Sequence, residues 1–164
     1  MPPVVATALE NLDTNPYPSL SEDARILLGA YELPEDVELS IVLCDDAFIT
    51  SLNASYRGKP HPTDVLSFAQ REGDGAFADD PILGDVIISV ETAARQADAN
   101  QISLQEELQV LLVHGLLHLL GHDHLSDAER DEMEQEERAL LGTLGADVER
   151  VRPLTAPDRR AADG

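Results

Sequence analysis

Residues 110–124 read VLLVHGLLHLLGHDH and place four histidines in an otherwise leucine- and valine-rich stretch. On a helix, His114 and His118 lie one turn apart on the same face. Apart from the two histidines and Gly115, every position from 110 to 120 is valine or leucine. This composition predicts a helix that is buried on all sides. Burying two imidazoles without partners would cost desolvation energy. A bound metal ion explains their presence, because neutral imidazole is a common zinc ligand.

A glycine after this helix indicates where a third ligand comes from. Gly121 stands where a left-handed residue ends a helix, and His124 can then fold back over the helix end. The pattern H-x-x-x-H-x-x-G-x-x-H is the spacing with which metzincins hold one zinc ion. We therefore predict that His114, His118 and His124 bind one Zn²⁺ per chain, although three imidazoles also suit nickel or cobalt. The alternatives are core histidines satisfied by hydrogen bonds, or a surface cluster without a function.

The residue after the first histidine departs from the metzincin pattern. Metalloproteases have glutamate there as the general base, and this chain has Gly115. Three neutral ligands with an open fourth position still describe a catalytic metal site. The base would then be metal-bound hydroxide, the substrate or a residue elsewhere in the chain. A zinc peptidase is therefore only a minor alternative. His122 is a spare histidine, and Asp123 is either a carboxylate that holds an imidazole or a turn cap.

Hydrophobic periodicity predicts the remaining elements outward from this helix. Alternation predicts strands at 4–9, 37–45, 63–69 and 84–91. Helices are predicted from residue 19 to about 30, from 45 or 46 to 56, and at 92–100, 103–120 and 126–144. Three of them begin at capping-box spacings: Ser19 with Glu22, Ser103 with Glu106 and Ser126 with Glu129. We predict a single α+β domain over residues 1–152, in which a small, mostly four-stranded sheet packs against about five helices, one of them metzincin-like.

Composition narrows the class of protein. A chain of 164 residues is one domain long, and 32 acidic against 11 basic residues give a net charge of -21. The electrostatic repulsion between so negative a chain and phosphates discourages non-specific contact with nucleic acid.

The single cysteine, Cys44, is expected to be a small buried strand residue in a reducing compartment. No segment resembles a signal peptide or a membrane span, so we expect a cytoplasmic protein. The acidic run at 126–137 is predicted to be a solvated helix face, and residues 153–164 a disordered tail.

A second group of polar residues lies in LNASYRGKPHPTDVLSF, residues 52–68. Arg57 and Lys59, the only lysine, stand together there in a chain that is otherwise strongly acidic. The planar guanidinium of arginine can grip phosphate oxygens and stabilise charge that develops on phosphorus. A salt bridge to one of the many carboxylates is an equal alternative from the sequence.

Four segments in order, LNASYRGKPHPTDVLSF, LGDVIIS, VHGLLHLLGHDH and MEQEERALL, resemble the bacterial YbeY family across residues 52–141. This family of endoribonucleases is also called the ribosomal RNA maturation factor. The resemblance implies a single-domain α+β metalloprotein that cleaves single-stranded RNA. It also implies a role in maturing the 3′ end of small-subunit ribosomal RNA and in ribosome quality control. The implied partners are ribosomal RNA and the small subunit with its proteins, and neither DNA nor a membrane.

The resemblance also implies roles for individual residues. The family's metal-binding histidines fall on His114, His118 and His124, and its functionally required arginine falls on Arg57. His114 and Arg57 are thus the expected catalytic residues, and Arg57 with Lys59 is expected to bind RNA. His122 replaces a tyrosine that many members have. A ribosome-assembly factor with a structural metal and no catalysis is the main alternative, since the acidic surface could meet basic ribosomal proteins.

Overall fold

The computed structural model describes residues 3–31, 33, 36–69, 82–122, 126–157 and 159. Over these residues the chain forms four strands and five helices. The strands are β1 (Val4–Glu10), β2 (Glu38–Cys44), β3 (Val65–Ala69) and β4 (Ile82–Ser89). The helices are α1 (Leu20–Leu28), α2 (Asp46–Arg57), α3 (Val90–Asn100), α4 (Leu104–Leu119) and α5 (Asp127–Thr143). The predicted α+β fold, with four strands and five helices, is confirmed.

The four strands form one mixed sheet in the order β1-β2-β4-β3. Strands β1, β2 and β4 are parallel, and β3 pairs antiparallel with β4 at the edge. Leu39, Ile41 and Leu43 are alternate residues of β2, so they share one face of the sheet, and all three are almost completely buried. Cys44 at the end of β2 is buried as predicted, and burial raises the pKa of its thiol to about 12. It is therefore a packing residue.

Edge strand β3 separates two helices that matter for the site. Successive side chains of a strand point to opposite faces. Ser67 faces α4, where its hydroxyl donates to the carbonyl of Gly115 at 3.0 Å. Leu66 and Phe68 face the other way and pack in a small cluster with α2. Helices α2 and α4 therefore lie on opposite faces of the sheet, with β3 between them.

Helix α4 is the central helix of the core, as predicted from its periodicity. Eleven of its 16 residues are buried. Its start is a capping box, in which the Ser103 hydroxyl accepts from the Glu106 amide and the Glu106 carboxylate accepts from the Ser103 amide. At its other end Gly121 has a φ of 97°, in the left-handed region predicted for the helix stop. None of the helices in the described ranges is long and apolar enough to cross a membrane.

One of the predicted caps is wrong. Ser19 precedes α1 but makes no side-chain hydrogen bond there, because its backbone is already helical (φ -74°, ψ -5°). A capping side chain needs an extended backbone at this position. Ser126 has that extended backbone, and its hydroxyl accepts from the Glu129 amide at 3.1 Å.

The C-terminal segment differs from the disorder predicted for it. Pro153, Thr155 and Ala156 are buried, and Arg159 forms an ion pair with the buried carboxylate of Glu107. The physical reason is that buried carboxylates need partners, and this segment supplies them to Glu107 and to Glu137. Residues 158 and 160–164 of the predicted tail lie outside the described residues.

Candidate metal centre

The two helical histidines point their imidazoles at each other. Nε2 of His114 lies 3.1 Å from Nε2 of His118, and the rings meet edge-on with centroids 4.6 Å apart. In a tetrahedral site with zinc–nitrogen bonds of about 2.0–2.1 Å, two ligand nitrogens stand about 3.3 Å apart. The separation of the two nitrogens therefore matches two ligand positions around one metal ion.

A buried carboxylate contacts the ring nitrogen of His114 that faces away from His118. Glu137 of α5 has no exposed surface, and its Oε1 lies 3.3 Å from Nδ1 of His114. The same carboxylate accepts from the Leu154 amide at 3.1 Å and the Thr155 hydroxyl at 3.0 Å. An acceptor with these neighbours favours a hydrogen on Nδ1, which leaves the Nε2 lone pair directed towards His118. This is the tautomer that a metal ligand needs.

Packing explains why a glycine separates the two histidines. A Cβ on Gly115 would lie 2.8 Å from Cγ1 of Val86 and 3.1 Å from Oγ of Ser67. The backbone of α4 thus rests directly on β3 and β4, and there is no room for a glutamate at this position. A glutamate general base directly after the first histidine is therefore excluded by packing as well as by sequence.

The predicted third ligand cannot be placed, because His124 and Asp123 lie outside the described residues. Within the described ranges, which omit 123–125, no group of three metal-binding side chains comes together. His122 is half-buried and lines a cavity of about 270 Å³ with Glu129 and Glu132. Its amide donates to the Leu117 carbonyl at 2.9 Å, which fixes the turn after α4.

The predicted cations lie at the exposed end of α2. Arg57 is the last residue of the helix, and Lys59 follows the left-handed Gly58 (φ 67°). Neither side chain makes an ion pair with any part of the chain that the structure describes. Five other arginines each bond to a carboxylate: Arg25, Arg95, Arg138, Arg150 and Arg159. The salt-bridge alternative for Arg57 and Lys59 therefore finds no support in the described residues.

A buried asparagine fixes the loop that carries these cations. Nδ2 of Asn53 donates to the His61 carbonyl at 3.0 Å, and the Lys59 amide donates to the Asn53 carbonyl at 3.2 Å. Further along, the Asp64 carboxylate accepts from the Val65 amide at 2.8 Å and so caps the start of β3. The backbone of the loop is held in place, while the cationic residues Arg57 and Lys59 are exposed.

Tyr56 connects this loop to β3. The residue is 68% exposed, and its ring contacts that of Phe68 edge-on, with centroids 5.1 Å apart. Ser67, the neighbour of Phe68, contacts α4 at Gly115 on the other face. Helix α2, which ends at the cations, and helix α4, which carries the histidine pair, therefore contact opposite faces of the same short edge strand.

Sequence reasoning missed two residues of this site, Glu137 and Tyr56. Glu137 falls in the acidic run predicted to be a solvated face, which is wrong for this residue. Met133, Glu137, Leu140 and Leu141 are the buried residues of α5, and their helical spacing could have indicated that Glu137 lies on the inner face. No sequence signal separates an exposed Tyr56 from a buried one.

Comparisons with known proteins agree with this architecture. A family model described as Endoribonuclease YbeY matches residues 10–145. Endoribonuclease YbeY of Pelotomaculum thermopropionicum is 47% identical over 76% of this chain and 84% of its own length. The corresponding protein of Paramagnetospirillum magneticum is 49% identical over 76% and 78%, respectively.

Two further similarities differ in their extent. Endoribonuclease YBEY, chloroplastic, of Arabidopsis thaliana is 41% identical over the whole chain, which spans only 30% of that protein's length. The solution structure of TM1509 from Thermotoga maritima is 21% identical and superposes with a TM-score of 0.52, covering 94% of this chain and 99% of that one. This structural likeness concerns the fold alone.

Proposed function

The chain belongs to the endoribonuclease YbeY family, and from this premise we propose that it is a metal-dependent endoribonuclease for single-stranded RNA. We further propose that it acts in maturing the 3′ end of small-subunit ribosomal RNA and in ribosome quality control. The observation that supports the metal dependence most directly is the pair of Nε2 atoms 3.1 Å apart on α4.

The histidines form the metal-binding half of the proposed site. His114 and His118 would hold the ion together with His124, which the sequence pattern supplies. Zinc bound there would polarise a phosphate oxygen and lower the pKa of a water molecule, the two contributions that phosphodiester hydrolysis needs. Glu137 keeps His114 in the metal-binding tautomer.

The end of α2 forms the RNA-binding half. Arg57 would grip the scissile phosphate through its guanidinium and stabilise the charge that develops in the transition state. Lys59 would hold a neighbouring phosphate, and the exposed ring of Tyr56 offers a surface on which an unpaired base can stack. Stacking of this kind requires an unstacked base, which favours single-stranded over duplex RNA.

The strong negative charge of the chain is compatible with this proposal. Most of the arginines in the described ranges are neutralised by carboxylates, whereas Arg57 and Lys59 keep their charge available at the site. The remaining acidic surface suits contact with basic ribosomal proteins. We propose that such protein contacts, together with local phosphate contacts, bring the enzyme to its RNA.

One experiment separates catalysis from a structural role of the metal. Cleavage of a labelled single-stranded RNA and of its duplex is measured with and without a zinc chelator, beside thermal denaturation of the same samples. We expect the metal-free protein to stay folded, to lose cleavage of the single strand and to regain it with zinc. Unfolding on chelation, without cleavage by the zinc-loaded protein, would instead indicate an assembly factor with a structural metal.

A further inference from the structure

Glu137 is contacted from two sides that are distant in the chain. On one side is Nδ1 of His114 in α4. On the other side are the Leu154 amide and the Thr155 hydroxyl, which follow the last helix. The carboxylate is fully buried, so its orientation depends on these donors.

The same segment is attached a second time to α4. Arg159 forms an ion pair with Glu107, and another guanidinium nitrogen of Arg159 donates to the Arg152 carbonyl at 3.1 Å. Glu107 also accepts from Gln96 of α3 at 2.8 Å, and burial raises the pKa of its carboxyl. Glu107 and His114 are seven residues apart and therefore share one face of α4. The C-terminal segment is thus anchored to the helix face that carries the first metal-binding histidine.

We infer that residues 151–157 and 159 are a positioning element of the metal centre, acting through Glu137 on His114. The inference rests on the proposed function, because it requires that His114 binds a metal ion. The segment lies beyond residue 145, where the match to the family model ends.

The physical argument concerns the tautomer of His114. With Glu137 held by Thr155 and the Leu154 amide, its Oε1 stays where it accepts the Nδ1 hydrogen, and Nε2 keeps its lone pair. Without the Thr155 hydroxyl, the carboxylate loses one of its fixed donors and can turn from the imidazole. His114 then more often carries its hydrogen on Nε2, and this tautomer cannot bind the metal through that atom.

The test compares zinc affinities of the full-length protein and its variants by competition with a chromophoric chelator. Thr155→Val removes the hydroxyl and keeps the shape, whereas Thr155→Ser keeps the hydroxyl. Thr92→Val is the matched control, because the buried Thr92 hydroxyl also donates to a carboxylate, Asp46, at 2.6 Å. Glu137→Gln breaks the direct contact.

We expect Glu137→Gln to weaken zinc binding about 10- to 100-fold, as is typical of residues that orient a ligand. Thr155→Val should weaken it less, about 3- to 10-fold, because the loss of one hydrogen bond of the carboxylate is only partly passed on to His114. Thr155→Ser and Thr92→Val should bind zinc as the unmodified protein does. The Nδ1 hydrogen of His114 should give an exchange-protected imidazole signal in ¹⁵N-edited NMR, which weakens in Thr155→Val and not in Thr92→Val.

Other outcomes would overturn the inference in distinguishable ways. Unchanged zinc affinity in folded Thr155→Val, with weakened affinity in Glu137→Gln, would remove the C-terminal segment from the metal centre. Equal weakening by Thr155→Val and Thr92→Val would show a general loss of stability instead of positioning. If the unmodified protein binds no zinc, the proposed function itself fails, and the inference fails with it.

Discussion

The two halves of the candidate site are built in opposite ways. On α4, His114 is buried and His118 is half-buried, and a buried carboxylate contacts the imidazole of His114. At the end of α2, the loop backbone is fixed by buried Asn53, but Arg57 and Lys59 extend into solvent. A metal ligand must be oriented before its ion arrives, whereas a cation for a long flexible polymer must remain accessible. The comparison indicates that the side chains proposed to bind a small metal ion are fixed in advance, whereas those proposed to bind a flexible RNA strand are left exposed.

Removing a histidine tests the buried half and should have the largest effect. In His118→Ala one of the paired Nε2 atoms is lost, so zinc binding and RNA cleavage should both fail. Cleavage should fall by at least about 10³-fold, the size of a metal contribution of several kcal/mol to the transition state. Zinc content after dialysis and the cleavage rate measure this. His122→Ala is the control and should retain both; loss of zinc in that variant would make His122 a ligand.

Arg57→Ala tests the exposed half. We expect kcat for single-stranded RNA to fall about 10²- to 10³-fold, as on removal of a donor that stabilises transition-state charge. Zinc content and thermal stability should not change, since the guanidinium makes no ion pair within the described ranges. Arg130→Ala removes another exposed arginine, on α5, and should leave cleavage intact. Cleavage by Arg57→Ala at the normal rate would remove this arginine from the mechanism.

Gly115→Ala tests the close packing of α4 against β3 and β4. The added methyl would lie 2.8 Å from Val86, and overpacking of this kind costs about 1–3 kcal/mol. We therefore expect a lower free energy of unfolding in urea, despite the better helix propensity of alanine. In Gly142→Ala, where the added methyl would have nothing within 4 Å, the same propensity should stabilise α5 by up to about 1 kcal/mol. Equal stabilisation of both variants would contradict the packing described for α4.

Tyr56→Ala tests whether an unpaired RNA base stacks on the exposed ring at the end of α2. The loss of a stacking surface worth about 1–3 kcal/mol per base should raise KM for single-stranded RNA with little change in kcat. Tyr56→Phe keeps the ring and should behave like the unmodified protein. Steady-state kinetics on a short single-stranded substrate would show the split; an unchanged KM in Tyr56→Ala would exclude stacking at this position.

The smallest effect should come from neutralising Glu106, the carboxylate that pairs with Arg150. Hydrogen bonds from Arg150, which has the largest effect, and from Ser103 lower the pKa of Glu106 from its ordinary 4.5 to about 2. A lowered carboxyl pKa contributes stability that is present above pH 4.5 and is lost as the pH falls towards 2. Glu106→Gln, which can keep the capping box, should therefore be slightly less stable at pH 7 and equal at pH 2, with unchanged cleavage. Urea unfolding at both pH values measures this; a difference that grows in acid would have the wrong sign.

Sequence reasoning succeeded where burial leaves a periodic pattern. The apolar residues of α4 predicted its burial, and the spacing of His114 and His118 predicted their convergence. The Ser103 cap was predictable because its partner lies three residues away. Ser19 had the same spacing but failed, since the backbone conformation that a cap requires is not encoded by the spacing alone.

The contacts that the sequence could not predict are tertiary. Nothing in the pattern joins Glu137 to Thr155, 18 residues later, or Glu107 to Arg159, 52 residues later. The prediction of a disordered tail failed for residues 153–157 and 159 because it counted apolar surface and not the buried carboxylates that needed donors. Whether Arg57 would find a carboxylate was undecidable for the same reason. His124 stays a prediction from the helix stop at Gly121.

The central claim is that one ion is shared by the two helical histidines and keeps a position open for RNA. A crystal structure of the zinc-loaded protein, with anomalous scattering at the zinc edge, tests it most directly. We predict one ion at about 2.0–2.1 Å from Nε2 of both His114 and His118, with three protein ligands and one position taken by solvent. An ion elsewhere, or one coordinated by four protein atoms, would contradict the account.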